Sequence, residues 1–239
     1  DFPALVDVLA DALRSPLFAP EQVELVRRQR LVDLQERDED TASVASLRFY
    51  ETLFGRGHPY GRSTVGYAET VTPLQRADLQ AFYEQFYTPD GGVLVVTGDV
   101  ETGAVLDLLG EQLGDWQGPA GNRASLAPPA VVSATPARLT VPLADKVQAD
   151  IVLGAAAVGR SHPDFYALRV ANCILGQFGM MGRLGARVRE EQGLAYYAYS
   201  SLGIDLAGGV WTAAAGVRPD HVEAAVASIT AEFSRIAAE

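Results

Sequence analysis

Apolar positions along this chain follow a helical rhythm first and an alternating one only later. Residues 3–14 set Leu5, Val8, Leu9 and Ala12 three and four apart, which predicts an amphipathic helix. Pro20, with Glu21 and Glu24 behind it, opens a second, because proline suits a first turn and acids favour the positive end of the helix dipole. That helix runs through 23–37, with Glu24 and Arg28 one turn apart. A third is expected from about Thr41 to Phe54, stopped by the turn-rich GRGHPYGRST. Thr72, Pro73 and Gln75 read as a capping box for a helix to about Tyr87, with Leu79, Phe82, Tyr83 and Phe86 on one apolar face.

The rhythm changes after Gly91–Gly92. VLVVT (93–97) is a β-branched run fit for a buried strand, and a helix to about Leu113 follows it. Residues 118–137 are rich in Pro, Gly, Ala and Ser and read as a linker. Beyond it, strands are expected at 138–142 and 147–155. A helix should then be capped by Ser161 with Pro163 in its first turn and run to about Leu175. The glycine-spaced loop GQFGMMG leads into a helix at about 182–192 that Gly193 ends. Strands at 195–202 and 209–216 and a helix from about Pro219 complete the pattern. The class is α+β. Asp1 and Asp220 each head a similar amphipathic helix, a period of 219 residues, which suggests the second half of one repeat followed by the first half of the next. Neither end reads as a natural terminus, so the chain is expected to be a fragment.

Composition narrows the function. The 239 residues are 48% hydrophobic and carry a net charge of −11, with no basic cluster able to track a phosphate backbone, so nucleic acid is not expected as a partner. No run of 18 apolar residues exists, so no membrane span is expected. The single cysteine, Cys173, lies in an apolar stretch and reads as a small buried hydrophobe.

Chemistry is sparse. His58, His162 and His221 are far apart, and neither H-E-x-x-H nor H-x-x-E-H occurs. A zinc site usually needs three protein ligands, so no metal site is expected from these residues alone. His58 reads as a turn residue and His162 as a first-turn helix residue. Gly176, Gly179 and Gly182 lack the following Lys-Ser/Thr of a phosphate loop, though their backbone would suit close approach of a peptide or a subunit. The most specific segment is RLGARVREEQGLAYYAYSS (183–201). Arg189 sits late in a helix, and Tyr196 stands seven residues on, at a strand start. A guanidinium and a phenol are suitable donors to the oxyanion formed when water attacks a peptide carbonyl. An exposed arginine paired with Glu190 or Glu191 and a tyrosine packed on a sheet would give the same pattern.

Residues 58–100 (HPYGRSTVGYAETVTPLQRADLQAFYEQFYTPDGGVLVVTGDV) and 183–201 together resemble the pitrilysin/insulinase metallopeptidase family, which includes mitochondrial processing peptidase and bacterial two-subunit peptidases; the likeness extends over essentially the whole chain. It implies tandem processing-peptidase-like units, each a sheet covered by helices. Residues 1–117 would be the C-terminal half of the first unit and 138–239 the N-terminal half of the second. Catalysis in the family uses an H-x-x-E-H helix and a downstream glutamate on a zinc-bearing unit, and an Arg/Tyr pair reaches that site from an opposing unit. The resemblance places that pair at Arg189 and Tyr196 and the zinc glutamate at Asp33, counting from PLF (16–18). Aspartate is one methylene shorter than the family's glutamate, which with the missing histidines implies a silent first unit. The expected role is that of the Arg/Tyr-bearing, non-zinc subunit of a heterodimeric peptidase, inactive by itself, with zinc held by a partner subunit or an upstream segment and a peptide as substrate. A self-sufficient zinc peptidase with its motif before Asp1 and an inert assembly subunit are the alternatives.

Overall fold

The computed structural model describes residues 2–118 and 135–238, so most of the expected linker at 118–137 lies outside the described residues. By packing they divide into two units: 2–31 with 68–118, and 32–67 with 135–238.

The first unit is helical. Helix α1 (Phe2–Arg14), the opening half of α2 (Pro20–Glu39), α4 (Ala68–Val71), α5 (Arg76–Phe86) and α6 (Thr102–Leu113) form it, while α3 (Thr41–Phe54) belongs to the second unit. The predicted pair of Glu24 and Arg28 is present at 3.4 Å. Arg14 ties α1 to α6, donating to the Gln112 carbonyl at 2.6 Å and pairing with Asp115 at 2.8 Å. The Tyr83 hydroxyl on α5 donates to the Leu13 carbonyl at 2.6 Å. The cap of α5 differs from the expected one. The Gln75 amide donates to the Asp78 carboxylate at 2.7 Å, and the Thr72 hydroxyl instead closes α4 on the Ala68 carbonyl at 2.7 Å. The apolar face of α5 is only half-covered, with Phe82 and Phe86 exposed and their rings in tilted contact.

Residues 93–97 do not form the expected strand. They are irregular and unladdered, with Val93 88% exposed, because no other segment among the described residues lies alongside to bond their amides and carbonyls. The expected strand at 138–142 likewise has no ladder, and its Leu139 and Val141 are exposed.

The second unit is built on an antiparallel sheet of β1 (Ala149–Ala157), β2 (Ala195–Ile204) and β3 (Gly209–Val217), in the order β1-β3-β2. Central β3 is made mostly of small residues and is buried on both faces from Val217 back to Thr212. Gly216 leaves room for the Tyr197 ring, where a Cβ would stand 2.5 Å from the ring edge. On one face, Ala198, Ala213, Ala215 and Val217 pack with Leu175, Leu184 and Val188 and with Ala225 and Ile229 of α8 (Val222–Ala238). Helix α3 packs on β1, its N-cap Asp40 accepting from the Ser43 amide at 2.8 Å.

Helix α7 (Phe165–Asn172) starts three residues later than a cap at Ser161 predicts, because 161–164 make a turn in which the Asp164 amide donates to His162 Nδ1 at 3.2 Å. It passes into a wider π-helical stretch, Cys173–Gln177. Cys173 is half-buried rather than buried, its thiol 3.2 Å from Gln177 Oε1.

Candidate functional site

Arg189 and Tyr196 stand at the two ends of one turn in the second unit. The helix expected at 182–192 is π-helical over Gly185–Glu191, a rare wide turn that recurs at functional sites. Gly193 closes it at φ 61°, a conformation that favours glycine, donating to the Arg189 carbonyl at 3.0 Å while the Leu194 amide donates to Val188 at 3.0 Å. The chain then enters β2 through a bulge. Ala195 pairs with Val217 and Tyr197 with Gly216, leaving Tyr196 unopposed. A bulge re-aims the side chain it carries, and Tyr196 is 80% exposed.

The two adjacent tyrosines therefore have different fates. The Tyr197 hydroxyl donates to Asp150, which also accepts from Thr41 Oγ1 and, at 3.1 Å, from Gln148 Nε2. Burial first, then that hydrogen bond and the carboxylate charge, push the Tyr197 pKa well up, so it remains a committed donor. The Tyr196 hydroxyl has no hydrogen-bond partner among the described residues.

Arg189 is two-thirds covered. Its guanidinium lies against the Met180 sulfur and 3.6 Å from Glu190, a solvent-facing ion pair of little worth. Met180 is delivered by a tightly wound segment whose glycines are required by contact inside the chain. A Cβ on Gly182 would stand 2.4 Å from the Gly176 Cα, and one on Gly185 would stand 2.6 Å from the Met180 Cα.

Asp33 is exposed on α2. Among the described residues no three His, Cys, Asp or Glu side chains gather as a metal site would require, so the donors present do not fit zinc. The histidines serve local structure. His58 stacks on Phe54 at 5.3 Å and accepts from the Tyr60 amide at 3.1 Å, while His221 Nδ1 is 3.4 Å from the Leu194 carbonyl. At the β2–β3 turn, Tyr60 donates to Asp205, which lowers the carboxyl pKa and raises the phenol to about 12.

One feature was not foreseen from sequence. A cleft of about 470 Å³ runs between α7 and β2, lined by Arg160, Arg169, Phe165 and the strand from Tyr199 to Leu202. Its two walls come from separate stretches of the chain and carry no shared motif, so only the fold assembles them.

A family model described as the peptidase M16 inactive domain matches residues 73–239. An uncharacterized zinc protease of Mycobacterium tuberculosis is 33% identical over 235 residues, covering 97% of this chain and 52% of its own length. Subunit 1 of the bovine mitochondrial cytochrome b-c1 complex is 30% identical over 188 residues, 74% of this chain and 37% of its own. Among solved structures, a peptidase M16 inactive domain from Pseudomonas fluorescens superposes with a TM-score of 0.86 at 24% identity, covering 97% of this chain and 55% of that one. A Helicobacter pylori protease follows with a TM-score of 0.82 at 19% identity, over 98% of this chain and 57% of that one. The chain thus spans about half the length of the curated zinc proteases it matches. No helix among the described residues is long and apolar enough to cross a membrane.

Proposed function

From membership of the peptidase M16 family, to which this chain belongs, we propose that Arg189 and Tyr196 bind the carbonyl oxygen of a peptide being hydrolysed at a zinc site carried elsewhere. Residues 1–117 then close one peptidase-like unit and 138–239 open the next. The observation that carries this reading is the contrast between neighbouring tyrosines: Tyr197 is spent on Asp150, whereas Tyr196 is bulged out of the ladder with its hydroxyl uncommitted. A phenol and a part-exposed guanidinium at the two ends of one turn are donors suited to a developing oxyanion. Because the described residues offer no donor set for a metal, activation of water is assigned to a zinc-bearing partner subunit.

Two other readings have support of their own. The relatives named zinc protease are about twice as long as this chain, which favours a single polypeptide that carries both zinc site and Arg/Tyr pair. Likeness to a cytochrome b-c1 subunit favours an assembly role without proteolysis. Arg189→Ala in the assembled protein separates catalysis from assembly. A fall in kcat of about 10²-fold with a smaller change in KM is expected, and a smaller fall for Tyr196→Phe. Peptide cleavage that proceeds at the original rate in Arg189→Ala would sink the catalytic reading.

A further inference from the structure

Strand β2 is laddered to β3 on one side, and among the described residues nothing pairs with its other side. The cleft runs beside the part of the strand from Tyr199 to Ile204, with α7 as its opposite wall. Its volume of about 470 Å³ lies in the range of ligand-sized sites.

The polar groups of the wall divide into spent and unspent. Asn172 is spent: its Oδ1 accepts from Trp211 Nε1 at 2.9 Å and its Nδ2 donates to Gln177 at 3.2 Å. Ser200 donates to the Asn172 carbonyl at 3.2 Å. Asp205, just past the strand, is spent on the Tyr60 hydroxyl and on the Ala207 amide at 2.9 Å.

The charged groups of the wall, Arg160 and Arg169, are unspent. Arg160 is fixed by its backbone amide, which donates to the Asp205 carbonyl at 2.8 Å, and Arg169 rests its guanidinium 5.9 Å from the centre of the Phe165 ring. Neither side chain forms an ion pair among the described residues. The chain carries 30 acidic and 19 basic side chains, so acids to pair with are plentiful. A concave wall that leaves two guanidiniums unpaired in such a chain is suited to an anion from outside, and planar guanidinium favours carboxylate.

We propose that this cleft takes an extended peptide alongside β2 and holds one of its carboxylates against Arg160 and Arg169. Backbone bonds to the open strand edge provide affinity without regard to sequence, and the two arginines select for acid. The inference rests on the reading of this chain as part of a peptide-handling protein and adds a preference to it.

The test uses fluorescent extended peptides and the full-length protein, with EDTA present so that nothing is cut. One peptide carries a single glutamate, a second has glutamine in its place, and each is made with a free and an amidated C-terminus. Fluorescence anisotropy should show the glutamate peptide, the free-acid form, or both binding about tenfold more tightly than their neutral counterparts; which of them does so identifies the side chain or the terminus as the source of the carboxylate. In Arg160→Gln/Arg169→Gln, verified as folded by circular dichroism, that preference should fall to about one. Equal binding of all four peptides by the unaltered protein overturns the proposal, as does a preference that survives in the double variant. Hydrogen exchange gives a second measure: the bound peptide should slow exchange at residues 199–204, and unchanged rates there would also overturn it. The Arg189→Ala cleavage assay decides the catalytic reading separately, since the anisotropy preference does not depend on turnover.

Discussion

The two units of this chain bury their apolar residues to different degrees. The second has a continuous core in which Leu175, Leu184, Val188 and Ile229 are wholly shielded from water. The first buries only Val6, Ala10, Val71 and Val105 among its described hydrophobic residues, while Val93, Leu94, Val95 and Leu106 face solvent. Helices need only their own backbone to satisfy their hydrogen bonds, so the first unit keeps its helices without a deep core. A strand has no such independence. VLVVT has the composition of a strand and still no ladder, because pairing is a property of two segments.

That contrast can be broken most forcefully in the core. Ile229→Ala should cost about 2–5 kcal/mol in a urea melt, whereas Leu106→Ala on the exposed side of α6 should cost under about 0.5 kcal/mol. Comparable losses at the two positions would mean that Leu106 is covered in solution. Next in size is Gly182→Ala. Its new methyl meets the Gly176 backbone rather than a yielding side chain, so a loss of about 1–3 kcal/mol is expected. Because the same segment presents Met180 to Arg189, peptide cleavage should weaken with it; a variant with unchanged melting would show that the winding of residues 176–185 relaxes easily.

The smallest effect sharpens the comparison at the head of α3. The hydrogen bond from Ser43 holds the Asp40 carboxyl below its usual pKa of 3.8, so the ionised form is favoured by folding. Its stabilisation is present above pH 3.8 and is lost as pH falls through the lowered folded value. Asp40→Ala should therefore cost about 1 kcal/mol at neutral pH, and the gap between variant and parent should narrow in acid. A gap that stays constant down to pH 2 would assign the cap to geometry rather than charge.

Much of this was legible in the sequence, and what was missed has a common cause. The three opening helices stand where periodicity and caps put them, since their signals lie within one or two turns of each other. The strands β1, β2 and β3 lie within about two residues of the expected ranges, because alternating small and β-branched residues mark a half-buried surface. The π-helical form of 185–191 was not legible, since no residue type distinguishes a wide turn from an ordinary one in this segment. The start of α7 was missed because Ser161 and Asp164 are both good caps and only the turn at His162 chooses between them. Asp150 gave no sign of its role, for its partners Thr41 and Tyr197 are 109 and 47 residues away. Separation in sequence likewise hid the meeting of Arg160 and Arg169 with β2 around one cleft.

The bulge at Tyr196 has an evolutionary reading. A position that no neighbouring strand counts on can change its side chain while the alignment of every rung beyond it stays fixed. Tyr197, one step on, has no such licence: its ring fills the space that Gly216 leaves and its hydroxyl fastens Asp150. Selection can thus revise the proposed substrate contact at this corner without renegotiating how the sheet is assembled, and a lineage that abandons it keeps the architecture intact.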